Sequence, residues 1–330
     1  MKPFITALLI FLVCFAAGAQ TSDVESVVAA LKKAAKPGAG ITPEEQEIAK
    51  KVESIEPKAI PYLLALLRDE NEDVRDLASY TLSDIDGLTE QHLDALIESR
   101  RRGDGWIPPA IARIGTPEAV KFLIEELVRE RQTQTKLTYA IGLLGEKAVP
   151  GLLAVYEADK EWDMNLENTM CSVFKELGHK ATGAIDPLLK IACDERAPRA
   201  RRVQAVITLG AIGLPAERAV PRLQKLPESS DVKLRTAATA AIEQIGSPEA
   251  VPLLVKKLEA KSDILVLRDI ARLGARGRSA GPTLLRFLEN QDWDMRVGVV
   301  RTLGYIGYDE AADDLVKMLG CVQVSGLTLA

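Results

Sequence analysis

Histidine, cysteine and tryptophan are the residues of this chain best suited to ligate a metal, attack a bond or stack a ligand, and they are few. His92 and His179 stand alone: neither belongs to an H-E-x-x-H pair, which would set two imidazoles around zinc on one helix face, and neither is followed by glutamate. Cys14, Cys171, Cys193 and Cys321 are widely spaced with no C-x-x-C, so they make neither a zinc site nor a disulfide framework. A single Cys171–Cys193 bridge and buried free thiols both stay open. There is no G-x-S-x-G, P-loop or G-x-G-x-x-G, and Gly274-Ala275-Arg276-Gly277 reads as a helix-ending turn. No catalytic residue, metal ligand or cofactor is expected. Trp106, Trp162 and Trp293, the last two in identical Trp-Asp-Met turns, read as lids over the core ends, with a ligand stripe as the alternative.

The chain that must position such residues has 330 of them, 47% apolar but only 5% aromatic, a composition that leans helical. Its first nineteen residues read as a secretory signal: Lys2, an apolar run from Ile5 to Phe15, and Ala17-Gly18-Ala19 as the cleavage site. The run is short for a bilayer span, and no other stretch approaches that length. The localisation expected is therefore secreted or periplasmic, with no integral membrane segment after cleavage. Net charge is −5. Nucleic acid is not expected as a partner, because duplex binding draws on neutralised phosphates. The short clusters at Arg100–Arg102 and Arg199–Arg202 read as solvated helix ends.

Self-similarity organises the rest. A small residue, an apolar one and often proline open a leucine-rich run at Ala59-Ile60-Pro61, Ala148-Val149-Pro150, Ala219-Val220-Pro221, Ala250-Val251-Pro252 and Ala280-Gly281-Pro282, with weaker copies at Lys121, Pro187 and Asp313 and a degenerate one at Leu93–Ile97. The spacing gives about nine repeats of about 31 residues. Each closes on an apolar-Gly pair, as at Gly115, Gly145, Gly213, Gly246, Gly274 and Gly307. Glycine there supplies the left-handed residue that ends a helix. Between the marks lie two helical stripes, such as Leu63, Leu64, Leu67 and then Val74, Leu77, Ala78, Leu82. Asp73, Asp163, Asp231 and Asp294 are placed to cap the second helix. The fold class predicted is all-α, an α-solenoid of two-helix repeats over 57–320, with capping helices in 20–56 and an apolar tail, 321–330. Thr42-Pro43-Glu44-Glu45 opens the second capping helix. The 37-residue step from Pro150 to Pro187 predicts an inserted turn or altered twist.

The run Asp73-Val74-Arg75, Ala78 and Leu82 with the later Ile-Gly closures resembles HEAT repeats, and most of all the short-period kind named after phycobilisome lyases. The resemblance spans roughly residues 57–320. It implies that Arg75, Arg202, Arg235 and Arg296 pair with turn acids of their own or the adjoining repeat, and that the ladder breaks at Gln134, Glu167 and Asp263. The His-Glu pairs of the HEAT-like deoxyhypusine hydroxylases are missing, and bilin lyases are matched in architecture alone.

If Leu77, Ala78, Leu82 and Ile85 face the core, the residues opposite lie on the concave side. That column runs Tyr80, Tyr139, Ser172, Ile207, Ala240, Arg268, Arg301. A neighbouring column is small (Ala112, Gly142, Gly210, Ala271, Gly304), with Lys175 and Glu243 as exceptions. Tyr80, Tyr139, Lys175, Glu243, Arg268 and Arg301 are the candidate partner-binding residues. The function expected is a non-catalytic scaffold of the cell envelope or secreted space that binds a protein or peptide. A lyase-like or cofactor-handling protein and a structural module of a longer polypeptide are the alternatives.

Overall fold

In the computed structural model, residues 21–35, 41–53, 57–130, 135–158, 163–226 and 231–317 are described. The signal segment, Trp162, Cys321 and the 321–330 tail lie outside them. No described residue is in a strand, so the all-α reading holds. Two compact units divide the chain: the first comprises Met1–Ala158 with Asp163–Glu176, the second Asp159–Trp162 with Leu177 onward.

In the first unit, α1 (Thr21–Ala34) and α2 (Pro43–Glu53) pack on each other and on α4. A reciprocal cap opens α2, Thr42 N–H donating to Glu45 Oε2 at 2.7 Å and Glu45 N–H to Thr42 Oγ1 at 3.3 Å. Four helical hairpins follow: α3 (Ile60–Leu66) with α4 (Glu72–Asp84), α5 (Leu93–Arg102) with α6 (Ile107–Ile114), α7 (Pro117–Glu130) with α8 (Thr135–Leu144), and α9 (Val149–Glu157) with α10 (Met164–Leu177). The second unit repeats the pattern with α11 (Ile185–Cys193) and α12 (Arg199–Ile212), α13 (Val220–Leu223) and α14 (Val232–Ile245), α15 (Val251–Lys261) and α16 (Ile264–Arg272), α17 (Gly281–Phe287) and α18 (Trp293–Tyr305). Residues 312–317 begin a further helix.

The sequence marks explain these boundaries. Proline opens α3, α9, α13, α15 and α17 in the first two positions, where its missing N–H has no helical partner to lose. Gly115, Gly145, Gly178, Gly213, Gly246, Gly274 and Gly307 all have positive φ. Between hairpins the chain runs as short 3-10 turns, for example Gly145–Ala148 and Gly274–Ala280. Each core is aliphatic, Leu63, Leu77, Leu82 and Ile111 in the first unit and Leu209, Leu254, Ile270 and Val299 in the second being fully enclosed.

Two local expectations need correction. Asp163 and Asp231 do cap their helices, but α4 and α18 are capped by Asn71 and Asp292, while Asp73 and Asp294 lie inside the first turn. There they face the positive end of the helix instead of closing it. The arginine ladder mostly binds backbone: Arg75 donates to the carbonyls of Asp69 (2.9 Å) and Glu70 (3.1 Å), Arg202 to Ala192 (3.1 Å) and Arg296 to Asn290 (2.5 Å). Ala192 lies in the last turn of α11 and the other three carbonyls lie in the turn between the two helices of a hairpin, so a guanidinium from the second helix fastens that turn. Arg75 also lies 3.5 Å from Asp104 of the adjoining repeat.

Candidate partner-binding face

Every second helix but α6, where Pro109 is buried, presents the residue six positions before its closing turn to the open side. In the first unit this is Tyr80, half-buried, Tyr139, 48% exposed, and Ser172, half-buried. In the second it is Ile207 and Ala240, both half-buried, then Arg268 and Arg301, both exposed. The small column three positions before closure has a different role. A Cβ on Gly142 would lie 2.7 Å from Glu176 Cγ, and one on Gly210 would lie 2.9 Å from the Ala241 Cα. These residues seat one second helix against the next, so they are packing surface and not groove floor. Lys175 is exposed on α10. Glu243 is only 14% exposed, because its carboxylate is held 2.5 Å from Lys257 Nζ on α15; the expectation that it faces a partner is corrected.

A cluster in the first unit joins three repeats. Trp106, from the turn before α6, meets the edge of Tyr80 at 5.0 Å and 88°, and Lys136 Nζ stands 3.6 Å over its ring centroid. Burial lowers the Lys136 pKa, with Asp76 opposing and Arg100 adding to the shift. Burial also raises the Asp76 pKa, reinforced by Asp104 and Glu72. Beneath lies a buried polar network: Ser99 donates to Asp104, and Arg100 donates to Glu126 at 3.3 Å and to Glu130. Chemically this is a clamp, since the ammonium stands over a ring face while the Asp76 carboxylate acts on it through space. Trp106 thus packs, as its position suggests, but Lys136 and Asp76 are absent from the sequence reading. Trp106 and Lys136 both stand nine residues before a closing glycine, and that shared register was the available signal.

The second unit has no equivalent clamp among its described residues. Arg268 and Arg301 have neither a hydrogen-bond nor an ion-pair partner among the described residues. Trp293 is 63% exposed and covered only by the Arg296 guanidinium at 5.2 Å. The lid reading therefore fails for Trp293, which opens its helix on the solvent side. Leu265 and Tyr305 are exposed as well. Cys171 and Cys193 are half-buried and are not joined in a disulfide. Among the described residues no group of histidine, cysteine and carboxylate side chains is placed to hold a metal ion, and no helix is long and apolar enough to cross a membrane.

Comparison with curated proteins gives no match. Two family models do match: one described as HEAT repeats over residues 185–274, and one described as HEAT repeat over residues 59–86. The first covers α11 to α16 and the second covers α3 and α4, one match in each unit, and both fall on hairpins of the same two-helix pattern. On these matches and the repeating hairpins that carry them, the chain is a HEAT-repeat protein with an all-α solenoid fold.

Proposed function

We propose that this protein is a non-catalytic scaffold of the cell envelope or secreted space that holds a protein or peptide partner on the open side of its second helices. A helical repeat scaffold of this class commonly serves protein interaction, and neighbouring repeats within a unit set their second helices side by side. The single observation that carries the reading is the pair of exposed arginines Arg268 and Arg301 on neighbouring second helices of the second unit, neither with an ion-pair partner among the described residues, because arginine is among the residue types most enriched where partners bind; Tyr139 is exposed at the same repeat register in the first unit. Export is supported by the Lys2, Ile5–Phe15 and Ala17-Gly18-Ala19 pattern.

The test is photo-crosslinking from positions 143 and 305, exposed one turn from Tyr139 and Arg301, in the exported chain, followed by identification of the attached species. A discrete protein adduct that disappears in Tyr139→Ala or Arg301→Ala is expected. Adducts that persist equally in both variants would remove the open side from the interaction. An intact mass that still includes residues 1–19 would remove the compartment.

A further inference from the structure

We infer that the open side of α16 and α18 docks an extended acidic segment of a partner protein, with carboxylates at every third position and apolar residues between. This deepens the scaffold reading and rests on it.

Arg268 and Arg301 occupy the same register on neighbouring second helices, and both are exposed without an ion-pair partner among the described residues. Arg272 adds a third cation one turn along α16, held only loosely by Asp269 at 3.9 Å. Like charges side by side repel, and a carboxylate bound between them relieves that repulsion. The cations are set among exposed apolar groups: Ile264, Leu265, Val300 and Tyr305, the last 70% exposed. Apolar surface rimmed by one sign of charge marks an interaction site, and its complement is a segment both acidic and apolar.

The spacing follows from how closely the two helices meet. Thr302 on α18 donates to the Leu267 carbonyl of α16 at 3.3 Å, and Gly298 leaves no room for a Cβ, which would lie 2.8 Å from Leu267 Cδ1. Packed helix axes are about 8–10 Å apart, and an extended chain in the polyproline II conformation advances about 3.1 Å per residue with about three residues per turn, so every third side chain faces the same way. One step from Arg268 to Arg301 therefore spans about three residues. A polyanion lacking apolar groups would leave Leu265 and Tyr305 uncovered, which favours peptide over nucleic acid.

The experiment measures fluorescence anisotropy of a labelled 12-residue peptide carrying glutamate at every third position and leucine between, titrated with the full chain. Saturable binding is expected, weakened at least about tenfold by Arg268→Glu with Arg301→Glu. A peptide with lysine in place of glutamate should bind that double variant and not the parent. Equal binding to parent and double variant overturns the assignment, as does tighter binding of a single-stranded oligonucleotide. Loss of binding through Tyr139→Ala alone would overturn it while leaving the scaffold reading in place. Should this peptide fail to bind while the crosslinked partner of the previous test is real, the assignment falls by itself.

Discussion

The two units distribute polar and apolar residues in opposite ways. In the first, Ser99, Arg100, Asp104 and Glu126 are enclosed, while its described exposed large apolar residues are Tyr139, Leu143 and Met164. In the second the buried polar residues are the uncharged Gln204, Thr208, Ser247 and Thr302, while Val232, Ile264, Leu265, Trp293, Val300 and Tyr305 are exposed. Buried charge with one well-defined set of partners makes a unit intolerant of alternatives. Exposed apolar and cationic groups leave a surface whose partners lie outside it. The same hairpin, repeated, thus gives a self-satisfied segment and a receptive one: buried charge on the first helices α5 and α7 marks the one, and exposed apolar residues on the second helices α14, α16 and α18 mark the other.

The largest expected effect comes from breaking the self-satisfied unit. Arg100→Ala leaves the enclosed Glu126 with only the exposed Arg129 as its cation and takes the close partner from the half-buried Glu130, and should cost up to about 3–5 kcal/mol. Hydrogen exchange should show loss of protection in α5 to α8 with α14 to α18 unchanged, and protection lost equally in both units would dissolve the contrast. Next is Gly210→Val in the second unit, which drives a side chain into Ala241 and should cost at least about 1–3 kcal/mol in thermal unfolding. Gly304→Ala on α18 sharpens the point: no described atom lies within 4 Å of its Cβ position, so the substitution should stabilise by about 0.5–1 kcal/mol through helix propensity. Destabilisation there would mean that something covers this stretch of α18.

The smallest effect is a pH dependence confined to the N-terminal helices. The hydrogen bond from Lys32, with the Asn71 backbone N–H, holds the Asp69 carboxyl below its ordinary value. A depressed folded pKa adds stability that is full above the unfolded value, about pH 4, and is lost as pH falls through the folded one. Protection of α1 amides should decline over that window, and Lys32→Met should flatten the dependence. An α1 signal still falling in Lys32→Met would assign it to another group.

Much of this was readable from spacing. Proline before each leucine-rich run and glycine after each second helix fix hairpin boundaries because each answers a local backbone requirement, and local requirements are visible in sequence. The open column was likewise readable, since helical period alone sets which residues oppose Leu77 and Leu82. What failed depended on rotamers and on distant partners. Asp73 and Asn71 are both plausible caps until backbone angles decide between them. Glu243 has an open-side neighbour register, yet its carboxylate turns to Lys257, fourteen residues on. The Lys136–Trp106 stack joins residues thirty apart, and only the packing of three repeats brings them together.

The basic residues that satisfy helix-end carbonyls give the array a sense of direction. Arg102 donates back to the Leu67 carbonyl, Arg113 to Ser83, Lys147 to Gly115 and Arg218 to Thr182, so at these turns the earlier repeat is closed by a cation from a later one. Unzipping from the C-terminal end would then uncap the neighbour left behind, and each loss would ease the next. Arg278 reverses this, reaching forward to the Gly307 carbonyl. When residues beyond 308 peel away, α18 keeps its closure, and fraying meets a stop where the array is otherwise easiest to undo.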